Sequence, residues 1–160
     1  MTILFHHHQW SLLASKSISI PDKVYIRSNT IKHSIYIPVL LKTLDTGDQL
    51  ELSALLDSGA TGLFLDSKFV QNNHLNTRKP SRTVPVYNVD GTLNQGGSIK
   101  EELDVILTYK GHTEKATFAV CDLGEKPAII GHTWLFFHNP EINWQTGEVI
   151  FSRCPSKCYI

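Results

Sequence analysis

Residues 55–62 read Leu55-Leu56-Asp57-Ser58-Gly59-Ala60-Thr61-Gly62, which places an acidic residue between an apolar segment and a turn of small residues. A second apolar run, Leu63-Phe64-Leu65, follows directly. A carboxylate in this setting lies at the edge of a hydrophobic core, where proteins seldom place Asp without a partner or a task. Gly59 permits a sharp turn of the backbone. The stretch therefore predicts a strand that ends in a functional carboxylate, Asp57.

The rest of the chain predicts an all-β domain. Apolar and polar residues alternate with the period of two that is typical of half-buried strands. Turn signals separate these segments at regular intervals. The predicted strands are 31–41, 49–56, 83–89, 99–109, 113–121, 128–130, 142–144 and 149–152. Two short helices are predicted at 67–73, capped by Ser67, and at 132–137. Many short strands and little helix favour a barrel-like domain.

A hairpin is predicted around Asp90-Gly91, because this pair is a strong signal for a tight turn with positive φ. Gly96-Gly97 weakens the returning strand and adds backbone freedom. Four large apolar residues near the carboxyl end are interpreted as core, namely Trp134, Leu135, Phe136 and Trp144.

Three elements, taken in order, resemble a known family. The segment around Asp57 resembles the active-site loop of aspartic proteases. Residues 86–92 stand where retroviral-type proteases carry their flap, and residues 128–135, Ala-Ile-Ile-Gly-His-Thr-Trp-Leu, resemble the apolar-apolar-Gly element and following helix of those proteases. The ending Gly-His-Thr-Trp-Leu is most similar to proteases of gypsy-type LTR retrotransposons, particularly fungal ones. The resemblance covers roughly residues 31–158.

The resemblance implies a retropepsin-like closed barrel of short strands with one or two short helices, active as a C2 homodimer. Its catalytic residue would be Asp57. The resemblance also implies an active-site loop of Ser58, Gly59, Ala60 and Thr61, and a flap and substrate-binding set of Asn88, Val89, Asp90, Gly91, Thr92, Ile129, Ile130 and Gly131. Ile129 and Ile130 can equally be plain core residues.

The implied activity is that of an aspartic endopeptidase that cleaves a retrotransposon polyprotein. This chemistry needs two carboxylates that share one water. The chain holds one suitable triplet, so the second carboxylate would come from a second copy of the chain. An extended polypeptide substrate would pair with the protease as an added strand. No cofactor is expected.

Asp45-Thr46-Gly47 is a second literal match to the protease tripeptide. Asp48 follows it, and a further acidic residue would add a like charge at a position that is small and crowded in the protease geometry. The four residues also have the composition of an exposed turn between two strands. Asp57 is therefore predicted to be the functional acid and Asp45 a turn residue.

Length and charge restrict the class of protein. A chain of 160 residues is long enough for one sizeable core, and its formal net charge is zero. The absence of a Lys/Arg run argues against a nucleic-acid partner, and no apolar stretch has membrane-spanning length. We expect a poorly ordered leader over 1–29, a protease-like domain over 30–153 and a tail over 154–160.

Three cysteines, Cys121, Cys154 and Cys158, are too few for a disulfide scaffold, and an odd count suits a cytoplasmic, reducing compartment. Cys154 and Cys158 could supply two metal ligands, but no second pair with finger-like spacing accompanies them. No metal is therefore predicted. Two competing hypotheses stay open: a catalytically silent retropepsin-like module that dimerises or binds peptides, and a small zinc-binding adaptor built on these cysteines and histidines.

Overall fold

The computed structural model describes residues 34–88 and 90–154. The predictions made for the leader 1–29, for Val89 and for Cys158 lie outside these residues. The strands are β1 (Tyr36–Thr43), β2 (Gln49–Asp57), β3 (Leu63–Asp66), β4 (Val84–Tyr87), β5 (Leu93–Ile99), β6 (Glu101–Tyr109), β7 (His112–Cys121), β8 (Ala128–Gly131), β9 (Glu141–Asn143) and β10 (Glu148–Ile150), and the helices are α1 (Ser67–Asn72) and α2 (His132–His138).

Six strands close into a barrel in the order β1-β2-β8-β3-β7-β6, which confirms the all-β barrel. Strand β8 lies between β2 and β3; it runs parallel to β2 and antiparallel to β3. The chain that leaves β2 must therefore cross the carboxyl end of β8 before it enters β3. This crossing is residues 58–62, the stretch that follows Asp57.

The core fills the interior of this barrel. The predicted alternation is confirmed in β1 and β6, where every second residue is buried. The largest fully buried side chains include Phe118, Leu65 and Leu107. Burying a side chain of this size stabilises the fold by about 1.5–3 kcal/mol. The stability of the barrel therefore comes mainly from apolar burial, so the polar loops at its ends are not needed to form the core.

Two of the predicted core residues are wrong. Phe136 is 74% exposed and Trp144 is 76% exposed, whereas Trp134 is buried and Leu135 half-buried. A helical residue lies about 200° around the axis from the one two positions before it. Since α2 turns Trp134 to the core, it turns Phe136 outward. Trp144 lies in the turn between β9 and β10, a two-stranded sheet outside the barrel.

Helix α1 begins as predicted, but its cap is different. The side chain of Asp66, not Ser67, accepts a hydrogen bond from the backbone N–H of Lys68 at 3.2 Å. Asp66 ends β3 and is buried. In the described part of the chain, no helix has the length and apolar character needed to cross a membrane.

Candidate active site

Asp57 is the last residue of β2 and is half-buried. Its Oδ1 accepts a hydrogen bond from the backbone N–H of Gly59 at 2.9 Å, and its carbonyl accepts one from the N–H of Ala60 at 3.2 Å. A Cβ at position 59 would lie 3.2 Å from that same Oδ1, tighter than ordinary van der Waals contact. Gly59 therefore lets the chain turn close to the carboxylate. Ser58 and Thr61 are exposed in the single chain.

Gly131 lies beneath the loop that carries Asp57. The two residues are register partners at the ends of the parallel strands β2 and β8. A Cβ on Gly131 would lie 2.5 Å from the carbonyl oxygen of Ala60 and would also collide with the carbonyl oxygen of Gly62. Both obstacles are backbone atoms, which cannot rotate away as a side chain can. The crossing of the loop over β8 therefore requires glycine at this position.

The first residues of α2 hold the loop from the same side. The backbone N–H of His132 donates to the carbonyl of Ala60 at 2.6 Å, and the N–H of Thr133 donates to the carbonyl of Thr61 at 3.0 Å. The hydroxyl of Thr133 donates to that second carbonyl as well. Sequence reasoning missed Thr133, which stood in the matched motif without a role. The sequence feature that could have pointed to Thr133 is its position as a hydroxyl residue directly after Gly131-His132.

Ile129 and Ile130 form the strand that the loop crosses. Ile130 is fully buried in the barrel core, and Ile129 is half-buried. Ile130 pairs with Leu56 on one side and with Leu63 on the other. Ile130 thus packs behind the loop as a core residue, whereas Ile129 keeps part of its surface exposed.

Asp45 lies in the turn between β1 and β2, at the opposite end of β2 from Asp57. Strand β2 has nine residues, so the two acids are separated by about 26 Å of strand. The Asp45 carboxylate accepts hydrogen bonds from the Asn76 amide at 2.6 Å and from the N–H of Thr46 at 2.8 Å. These bonds lower the pKa of Asp45, the contact with Asn76 contributing most. Asp45 is an exposed turn residue, as predicted.

The hairpin predicted over residues 84–99 is present as the separate pair β4 and β5. At its tip, the carbonyl of Asn88 accepts from the N–H of Gly91 at 2.9 Å, and the N–H of Asn88 donates to the carbonyl of Thr92 at 2.8 Å. Gly91 has φ +80°, the positive value that was expected. The Asp90 carboxylate accepts from the hydroxyl of Thr92 at 2.7 Å, and this bond lowers the pKa of Asp90.

The segment that leads into the hairpin is fixed to the barrel by Arg78. Its backbone pairs with Glu102 of β6 through two hydrogen bonds, of 2.9 and 2.8 Å. Its guanidinium contacts the Glu102 carboxylate and donates to Asp104 at 2.9 Å. The hydrogen bonds from Arg78 and Thr117 lower the pKa of Asp104 to about 2. The base of the hairpin is thus anchored by an ion-pair network while its tip is exposed.

Comparison with known proteins identifies the domain. Residues 53–158 match the family described as the PEG10/RTL1 protease domain. The chain belongs to this family. The family range begins just before Asp57 and includes the β4–β5 hairpin and Gly131, whereas Asp45 lies outside it. A PEG10/RTL1 protease domain thus contains all three elements on which the resemblance to retroviral-type proteases rests.

Two solved structures resemble the chain. The retroviral protease-like domain of Ddi1 from Leishmania major has 15% sequence identity and a TM-score of 0.50, over 75% of this chain and 89% of that one. The EIAV protease, solved in complex with the inhibitor HBY-793, has 22% identity and a TM-score of 0.42, over 69% of this chain and 92% of that one. The first of these likenesses agrees with a retroviral protease-like fold for this family member.

Proposed function

We propose that the chain is an aspartic endopeptidase of the retroviral type, whose two catalytic carboxylates are the Asp57 residues of two copies in a C2 homodimer. The observation that carries this proposal is the setting of Asp57. Its loop crosses β8, and Gly131, together with the first turn of α2, supports that loop from below. A carboxylate on a supported loop, beside the exposed Ser58, Gly59 and Thr61, suits a site shared with a second copy.

The chemistry follows from the close approach of two such carboxylates. Two neighbouring carboxylates cannot both ionise cheaply, so they share a proton and titrate as a coupled pair. The ionised partner takes a proton from the attacking water, while the protonated partner polarises the scissile carbonyl. In this proposal Ser58 hydrogen-bonds across the two-fold axis and Gly59 lets the substrate backbone come close. Each chain supplies half of the site.

The β4–β5 hairpin is proposed to be the flap, and its substrate-binding residues are proposed to be Asn88, Val89, Asp90, Gly91 and Thr92. An exposed tip on an anchored base suits a lid that opens for a polypeptide and closes to exclude water. The substrate is proposed to be an extended segment of a retrotransposon polyprotein, of the gypsy type. It would bind as an added strand with alternate side chains in apolar pockets, for which Ile129 is a candidate lining residue.

An intracellular, reducing setting and the absence of a nucleic-acid partner belong to the same proposal. They rest on the odd number of cysteines and on the balanced charge of the sequence.

The experiment that tests the function is cleavage of a peptide library at mildly acidic pH by the wild type, Asp57→Asn and Asp45→Asn. Asp57→Asn should lose cleavage by about 10²–10⁴-fold, the usual contribution of an acid–base residue, with an unchanged fold by circular dichroism. Asp45→Asn should keep most activity, and pepstatin should inhibit the wild type. A wild type that dimerises but cleaves nothing would support the silent peptide-binding module instead, and activity that depends on Asp45 would refute the assignment.

A further inference from the structure

Three potential metal ligands from three separate parts of the chain meet beside the barrel. They are His112 at the start of β7, His138 at the end of α2, and Cys154 after β10. One ligand atom of each lies within 4.8 Å of those of the other two. The two histidines are 2% and 3% exposed, and Cys154 is half-buried. We propose that His112, His138 and Cys154 bind a structural zinc ion.

The spacing of the ligand atoms fits this ion. Sγ of Cys154 lies 3.3 Å from Nδ1 of His112. Zinc binds nitrogen at about 2.0–2.1 Å and sulfur at about 2.3 Å, so that tetrahedral geometry puts neighbouring ligand atoms roughly 3.3–3.8 Å apart. Imidazole and thiolate are also ligand types that suit zinc, whereas harder cations such as Mg²⁺ and Ca²⁺ prefer oxygen ligands. The His112–Cys154 pair therefore already has the separation that the ion requires, and all three ligand atoms lie within 4.8 Å of one another.

Hydrogen bonds orient both imidazoles. Nδ1 of His138 lies 2.7 Å from the carbonyl oxygen of Trp134, so it donates its proton there and presents Nε2 to the metal. Nε2 of His112 lies 3.2 Å from a carboxylate oxygen of Glu114 and presents Nδ1 on the side of Cys154. Histidines that bind metals commonly donate their other N–H to a carbonyl or carboxylate in this way, which fixes the tautomer and the ring orientation.

Glu114 is the positioning residue of this cluster. Besides contacting His112, it accepts a hydrogen bond from the indole N–H of Trp134. Its second oxygen lies 3.3 Å from Nε2 of His138. Metal binding at that nitrogen requires the nitrogen to be unprotonated and the Glu114 oxygen to give way. Aromatic rings enclose the histidines. The ring of Phe151 stacks on His112 at 5.0 Å between centroids, and the ring of Trp134 lies 4.3 Å from that of His138. Rings held this tightly lose little further conformational freedom on binding an ion.

The ion would cross-link three separate parts of the chain, because its ligands lie on β7, at the end of α2 and in the segment that follows β10. Because an ion that binds the folded chain stabilises it by mass action, zinc should raise the melting temperature and chelation should lower it. This role is separate from the proposed catalysis, so Asp57→Asn should bind zinc as the wild type does.

The test uses the full chain, exposed to zinc and freed of excess metal, with metal content measured by mass spectrometry and with cobalt(II) as a spectroscopic probe. We expect one zinc per chain and, with cobalt, the visible bands of a tetrahedral site, with water as the fourth ligand, together with a near-ultraviolet thiolate-to-metal band. Cys154→Ser should remove the thiolate band. Glu114→Gln should keep the band and weaken zinc binding about 10–100-fold.

Matched controls separate this site from adventitious binding. Cys121→Ser removes the other described thiol, whose pKa burial raises to about 11; a thiol with a raised pKa is a poor metal ligand. His74→Asn removes an exposed histidine. Both variants should keep full zinc content, and Cys158→Ser should keep the thiolate band.

A wild type that takes up no stoichiometric zinc or shows no thiolate band with cobalt overturns the proposal without any variant. Retention of the band in Cys154→Ser, or its loss in Cys158→Ser, overturns the assignment to Cys154.

Discussion

Asp57 and Asp45 each begin a tripeptide that matches the aspartic protease motif, but the contacts around the two carboxylates differ. The carboxylate of Asp45 is engaged by Asn76 and Thr46 in an exposed turn. That of Asp57 ends a barrel strand, bonds its own loop through Gly59, and stands above a glycine that no other residue can replace without moving backbone. The difference between the two acids is thus one of support, because the loop of Asp57 is held from below by a second strand and a helix.

Gly131→Ala should damage this support. The added methyl would meet the carbonyl oxygens of Ala60 and Gly62, so the loop must shift. We expect a loss of stability of about 1–3 kcal/mol, typical of overpacking, and a fall in cleavage activity. Gly62→Ala is the matched control for stability, because its methyl would meet only the ring of Phe64 at 3.7 Å. Urea unfolding of the two variants measures the difference; equal stabilities would contradict the account.

At the residue scale, the sequence predicts Asp57 and its loop but not what holds them. The acid stands out because apolar residues precede it and small residues follow it. The partners of the loop cannot be read from periodicity, since Thr133 and Thr61 are 72 positions apart and meet only because β8 lies between β2 and β3. The sequence marks Cys154 as a possible metal ligand but does not single out His112 and His138 as its partners, because the three residues come from separate parts of the chain.

At the scale of elements, the β4–β5 hairpin joins an anchored base to an exposed tip. Arg78 pins the entering segment to β6 through backbone pairing and two carboxylates. At the tip, short polar side chains bond one another, and Gly91 takes a positive φ. Local opening of such a tip costs little, since few apolar contacts are lost.

Gly91→Val should lower turnover more than it lowers stability. A β-branched residue at positive φ costs about 1–2 kcal/mol of local strain, and here the strain falls on the proposed lid. Gly47→Val is the matched control: Gly47 has φ +77°, close to the +80° of Gly91, and neither position has a neighbour within 4 Å of an added Cβ. Both variants should melt at similar temperatures. Peptide turnover should fall only in Gly91→Val, and an equal fall in both would remove the argument for a lid.

The ion pair at the hairpin base should give the stability a pH dependence in acid. The pKa of Asp104 is lowered to about 2 in the folded chain, mainly by the hydrogen bond from Arg78. A lowered folded pKa contributes stability above the ordinary Asp value, and that stability is lost as the pH falls from about 4 to about 2. Asp104→Asn should therefore melt below the wild type near pH 6 by no more than a few degrees, since the pair is partly exposed.

The difference in melting temperature between wild type and Asp104→Asn should shrink towards pH 2. Glu51→Gln, which removes an exposed carboxylate of β2, is the control and should not follow this pattern. Melting curves recorded across the acid range decide the matter; a gap that stays constant with pH would show that Asp104 contributes through something other than its charge.

Periodicity placed most elements and left details of their ends open. Alternation placed β2, β6 and β7 correctly, because half-buried strands leave a strong period-two signal, and the Asp90-Gly91 turn signal placed the hairpin. The assignment of large apolar residues to the core was wrong for Phe136 and Trp144, because a short helix and a two-stranded sheet outside the barrel cannot bury every large residue they carry. The capping of α1 by Asp66 shows the same limit, since Asp66 and Ser67 are both good caps and the structure chooses between them.

At the scale of the whole molecule, the barrel is complete within one chain but the proposed site is not. The strand order, with β8 inserted between β2 and β3, brings the Asp57 loop to one end of the barrel. The class of fold followed from the sequence, whereas this insertion did not, because alternation says which residues face inward and nothing about which strands are neighbours. One chain supplies one Asp57, which is one of the two carboxylates that the proposed reaction needs, so two chains must share one site.

The most direct test is to mix wild type with Asp57→Asn at constant total protein, allow the subunits to exchange, and measure peptide cleavage. If each site takes one Asp57 from each chain, an equal mixture holds about a quarter of its dimers as wild-type pairs, so activity should fall to about a quarter of that of the same total amount of wild type. Mixing with Asp45→Asn should leave activity nearly unchanged. An activity of about one half with Asp57→Asn, as expected for sites contained in single chains, would show that the two chains do not share a site.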